Sequence, residues 1–92
     1  MAEESKRESR MSKQQKMLKR LASSPRDFTW SELVSLMTSL TFVLEKAGGS
    51  SRKFVHPTTG ATLFIHQPHP ATILKAYQVR DAIDLLKREG IL

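Results

Sequence analysis

Two turn signals, Ala47-Gly48-Gly49 and Pro57-Thr58-Thr59-Gly60, cut residues 41–66 into three short β-rich runs. Paired glycines and Pro-x-x-Gly segments are where a chain reverses, so Thr41–Lys46, Ser51–His56 and Ala61–His66 predict an antiparallel three-stranded meander. Strands this short are not stable alone in water and need an apolar layer over one face. The flanking segments supply it.

Before the meander, Thr29-Trp30-Ser31-Glu32 has the S/T-x-x-E spacing of a helix-opening capping box, with Phe28 and Leu33 placed as its hydrophobic staple. Trp30, Leu33, Val34, Leu36, Met37 and Leu40 continue as an apolar stripe, which predicts a helix over Trp30–Ser39. After Pro68 and Pro70 a second helix is expected from about Leu74 to Glu89, burying Tyr77, Ala82, Ile83 and Leu86, with Gly90 just past its end. Met11, Met17, Leu18 and Leu21 mark a marginal amphipathic helix ended by Ser23-Ser24-Pro25, which requires a surface to lie against. Residues 1–10 carry no periodicity and are expected to be a disordered basic leader.

The expected class is therefore α+β, ordered α-β-β-β-α with an extra N-terminal helix. A three-stranded antiparallel sheet is covered by helices on one face and open on the other. Along the second strand, side-chain alternation sends Phe54 to the core with Arg52 and His56, and sends Ser51, Lys53 and Val55 to the open face. The division is leader 1–10, helical extension 11–24 and main domain 25–92.

Charge points to the partner. Fifteen Lys and Arg against nine Asp and Glu give a net charge of +6, which favours a polyanion such as nucleic acid. Lys6, Arg7, Arg10, Lys13, Lys16, Lys19 and Arg20 face only Glu3, Glu4 and Glu8, so most of the excess lies before residue 25. Lys13, Lys16, Lys19 and Arg20 recur at helical spacing; both a solvated face and a stripe tracking a phosphate backbone remain open. Without cysteine, a disulfide scaffold and thiolate metal ligands are excluded, as suits a reducing cytoplasm. No signal-peptide core and no run of about 18 apolar residues is present, so a cytoplasmic protein without a membrane partner is expected.

Chemistry-bearing residues concentrate in Gly48–Pro57 and Ile65–Pro70, which hold all three histidines. RNA can be cut by its own 2′-hydroxyl, so a base, an acid and cations that stabilise the phosphorane suffice, without a metal. Arg52, Lys53 and Lys75 are the candidates for phosphate, Ser50 and Ser51 for hydrogen bonds to it, and His66 or His69 for proton transfer. His56, just before Pro57, reads as a strand-end residue. His66 shares its parity with Phe64, which leaves a core and a functional reading open. His69, between two prolines, is expected to be exposed. His66-x-x-His69 is broken by Pro68 and completed by no nearby carboxylate or cysteine, so neither a metal nor another cofactor is expected.

The segments TWSELVSLMTSL, GGSSRKFVHP, FIHQPHP and ILKAYQVRDAIDLLKREGIL resemble the HicA family of bacterial toxins over roughly residues 25–92. The resemblance implies a fold similar to a double-stranded-RNA-binding domain, an mRNA interferase activity that inhibits translation, and neutralisation by a HicB-like antitoxin. It departs at one position: the family's Gly-Ser turn is followed by a histidine regarded as catalytic, whereas Gly49-Ser50 is followed here by Ser51. A serine hydroxyl cannot serve as a base near neutral pH as an imidazole does. The expected partners are mRNA and the antitoxin, with a second copy of the chain left open. The expected activity is a metal-independent endoribonuclease, with a non-catalytic RNA-binding or antitoxin-binding module as the alternative. A basic protein docking to an acidic partner is a third class, marked by a lack of RNA affinity.

Overall fold

The computed structural model describes residues 12–92; the leader assigned to residues 1–10, and Met11, lie outside the described residues. The elements are α1 (Lys13–Ala22), α2 (Trp30–Ser39), β1 (Val43–Lys46), β2 (Ser51–Val55), β3 (Thr62–His66) and α3 (Ala76–Arg88). The sheet is antiparallel in the order β1-β2-β3, which is the α+β arrangement expected and is consistent with a double-stranded-RNA-binding-domain-like fold.

Local capping opens the first two helices. The Ser12 hydroxyl accepts from the Gln15 amide N–H while Gln15 Oε1 accepts from the Ser12 N–H. At α2, Thr29 Oγ1 accepts from the Glu32 N–H and Glu32 Oε1 accepts from the Thr29 N–H at 2.9 Å, so the capping box forms as its spacing predicts. Glu32 also binds across to α1: Arg20 donates from Nε and Nη2 to its two carboxylate oxygens, both at 3.0 Å. Arg20 reaches Asp27 as well, and its guanidinium lies 5.1 Å over the Phe28 ring. These bonds, led by Arg20 and helped by Thr29, hold the Glu32 carboxyl down at about pKa 2 against the opposing effect of burial. Beneath them, Leu21 of α1 is fully buried in the same core as Phe28, Leu33, Met37, Phe54 and Leu86.

Register fixes the two faces of the sheet. Phe54 pairs with Leu44 and Leu63, and Arg52 pairs with Ile65; Phe54, Leu63 and Ile65 are buried under the helices. Trp30 packs against Phe54 with ring centroids 5.7 Å apart. The other face carries Lys53 opposite Phe64, and Ser51 opposite His66. Phe64 is 70% exposed. The shared parity of Phe64 and His66 thus resolves in favour of the open face, because Leu63 and Ile65 take the core side.

Strand ends shift by a residue, and two element starts and one buried position differ more from the sequence reading. β1 begins at Val43 rather than Thr41, because Thr41 sits just past α2 in the left-handed region (φ 72) and the following Phe42 N–H returns to the Met37 carbonyl. α3 begins at Ala76 rather than near Leu74, since the Leu74 N–H bonds to the Phe28 carbonyl and Lys75 is the extended N-cap. Tyr77 is half exposed instead of buried: the buried stripe of α3 runs through Gln78, Val79, Ala82, Ile83, Leu85 and Leu86, and Tyr77 falls beside it. Gly90 has φ 74 at the expected C′ position, and the Ile91 N–H closes on the Leu86 carbonyl.

Candidate nucleic-acid interface

The hairpin joining β1 to β2 ends beside the last residue of β3. Gly48 (φ 107) and Gly49 (φ 54) occupy backbone regions that side-chain-bearing residues avoid, which lets the Ser51 N–H close the turn on the Gly48 carbonyl at 2.8 Å. The Gln67 N–H then donates to the Ser50 carbonyl at 2.9 Å, holding the tip against the chain that leaves β3. As a result Ser50 Oγ lies 3.2 Å from His66 Nδ1. Ser51 stands directly across the strand pair from His66.

A second arm of the site comes from α3. The buried Gln78 amide bridges the two: its Oε1 accepts from the Lys75 backbone N–H at 3.0 Å, and its Nε2 donates to the His66 carbonyl at 2.9 Å. Its apolar stripe position gave no sign of this role in the sequence. The bridge fixes the start of α3 against the end of β3, with both hydrogen-bonding ends of a buried amide satisfied.

Two shallow depressions meet at His66. One, of about 360 Å³, is lined by Ala47, Ser51, Arg52, Phe64, Ile65 and His66. The other, of about 340 Å³, is lined by His66, Gln67, Pro68, His69, Ala71, Ile73, Lys75, Tyr77 and Gln78. Among the described residues no carboxylate lines either one, and Lys75 with the positive end of the thirteen-residue helix α3 faces the second. The surroundings suit an anion. Among the described residues no group of three histidine or carboxylate side chains converges.

The fold gathers Ser50, Ser51, Arg52, His66, His69 and Lys75 about these depressions. Lys53 stands apart: it occupies the open face between Glu45 and Phe64, and its Nζ is 3.7 Å from Glu45 Oε1. Arg52 has the opposite parity, so the two adjacent cations cannot act as one pair. Its Nη1 donates to the Gly49 and Ser51 carbonyls at 2.8 and 2.9 Å, bracing the turn. His66 and His69 are exposed.

His56 lies at the other end of the sheet and is occupied on both ring nitrogens. Nδ1 accepts from the Thr58 and Thr59 N–H groups at 3.2 Å, which assigns the proton to Nε2; that nitrogen donates to Thr41 Oγ1 at 2.9 Å. The ring stands edge-on to Phe42, 5.1 Å between centroids. On α1, Lys13, Lys16 and Lys19 are exposed, but Arg20 is turned into its ion pairs, which shortens the basic stripe. No helix among the described residues is long and apolar enough to cross a membrane.

Among known proteins, a family model described as the HicA toxin of bacterial toxin-antitoxin systems matches residues 30–91. No curated protein and no solved structure matches the chain.

Proposed function

The chain belongs to the HicA toxin family, the toxin half of a toxin-antitoxin pair, and from that premise we propose that it binds mRNA at the His66 end of its open sheet face and cleaves it. The observation that carries this reading is the pairing of Ser51 with His66. Residues directly opposite in an antiparallel pair have Cβ atoms about 5 Å apart. The imidazole missing from the turn is thus replaced by one on the neighbouring strand, projecting from the same face.

In the proposed reaction, His66 Nδ1–H donates to Ser50 Oγ, which leaves the Nε2 lone pair to take the proton of a ribose 2′-hydroxyl. The 2′-oxygen attacks the adjacent phosphorus. The bond to the 5′-oxygen breaks, and protonated His69 returns a proton to that leaving oxygen. The products are a 2′,3′-cyclic phosphate and a 5′-hydroxyl. Lys75 and the N-terminus of α3 stabilise the charge of the phosphorane, and Ser51 donates a hydrogen bond to a phosphate oxygen. Such chemistry requires no metal and acts where mRNA is, in the cytoplasm.

Purified protein incubated with RNA in EDTA should give fragments ending in cyclic phosphate. His66→Ala and His69→Ala should each abolish growth inhibition; unchanged cleavage in both variants would refute the proton-transfer roles. Ser51 in place of the family's histidine favours a second reading, a non-catalytic RNA-binding or antitoxin-binding module. RNA binding without products selects it.

A further inference from the structure

Beyond the phosphate chemistry, the two depressions each hold an exposed aromatic ring. Phe64 is 70% exposed and lines the depression on the β2 side of His66; Tyr77 is 49% exposed and lines the one on the α3 side. Phe64 lies two residues before His66 on the same strand face, so their Cα atoms are about 7 Å apart. That is close to the rise between nucleotides of an extended single strand.

We propose that Phe64 and Tyr77 are base-stacking subsites on either side of the His66 phosphate site, and that the ligand is RNA whose bases are unpaired. This rests on the RNA reading above and specifies how the strand is held. An exposed aromatic face gains by stacking on a base that has left its helix, whereas duplex bases are stacked on one another and present only edges. The neighbouring charges fit the same occupant: Arg52 reaches the rim of the Phe64 depression from the opposite strand face, Lys75 lines the Tyr77 depression, and no carboxylate among the described residues lines either. The helix-covered face offers no comparable pair, since Phe28, Phe42 and Phe54 are buried and the half-buried Trp30 packs against Phe54.

The test uses the full chain and an unstructured 2′-O-methyl RNA, which binds but lacks the nucleophilic hydroxyl, offered alone and annealed to its complement. The single strand should bind more tightly than the duplex. Phe64→Ala and Tyr77→Ala should each weaken it about ten-fold, Tyr77→Phe should leave it unchanged, and Phe64→Leu should lose nearly as much as Phe64→Ala. Because both rings are exposed, circular dichroism of the variants should match that of the parent. Equal affinity for duplex and single strand, or full binding by Phe64→Leu, overturns the subsites. So does a variant that keeps its RNA affinity but loses its grip on the antitoxin, which would make the rings a protein contact. Cleavage assayed separately on unmodified RNA distinguishes the two ideas: cleavage with unaltered binding in both ring variants refutes the stacking sites alone. Ring-dependent binding without cleavage by the parent refutes the enzyme alone.

Discussion

The two ends of the small sheet hold one histidine each at a strand terminus, and they are built for opposite ends. His56 is fastened by three hydrogen bonds and the edge of Phe42, and it holds Thr41 in a left-handed conformation that β-branched residues resist. His66 has one side-chain hydrogen-bond partner among the described residues, Ser50, and otherwise faces two depressions. A ring with both nitrogens committed to backbone and hydroxyl partners has no capacity left for a substrate; a ring with one committed nitrogen is oriented and still has the other to use. The difference lies in the partners, not in the residue type.

Substitution at both ends is the sharpest way to break that comparison. His66→Ala should lower RNA cleavage by about 10²–10⁴-fold while leaving the melting temperature within error. His56→Ala should do the reverse, costing about 1 kcal/mol in chemical denaturation through the lost ring contact with Phe42 and exposed hydrogen bonds that water only partly replaces, with cleavage per folded molecule unchanged. If His56→Ala also removed activity from folded protein, the division between a structural and a chemical end would collapse.

Smaller effects refine the picture. Lys75→Ala should reduce RNA affinity about ten-fold and flatten its dependence on salt by about one counterion. The α1–α2 corner provides a pH test away from the site. Glu32 has a folded pKa of about 2 against an ordinary 4.5, so its contribution is fully present above about pH 4.5 and is lost as pH falls toward 2. Melting curves across that window should fall steeply for the parent and less steeply for Glu32→Gln. Lys53→Ala should change stability least, by under about 0.5 kcal/mol, because an exposed pair such as Lys53–Glu45 is worth little.

What could be read from the sequence was mostly local. The Thr29–Glu32 box and the stripe from Trp30 gave the bounds of α2, because capping and helical period act within a few residues. The glycines of both turns likewise announced the meander. Thr41 misled because its β-branched character suits a strand, while the need to close α2 and bury Phe42 decided its conformation. The run Leu63-Phe64-Ile65 is apolar throughout, so periodicity could not say which residues face out; only pairing with β2 does. Strand parity already placed Arg52 and Lys53 on opposite faces, although adjacency suggested a shared phosphate. Gln78 was beyond sequence reasoning, since its two partners lie on separate elements.

That one amide also sets which changes the chain can tolerate. Because Gln78 ties Lys75 to His66, and the Leu74 N–H is anchored on the Phe28 carbonyl, the spacing of His66 and Lys75 does not depend on the path of residues 67–71. A longer or shorter loop there would therefore keep the His66–Lys75 geometry. His69 rides on the loop itself and would move with every such change, so of the two proposed proton carriers it is the one whose position depends on the loop.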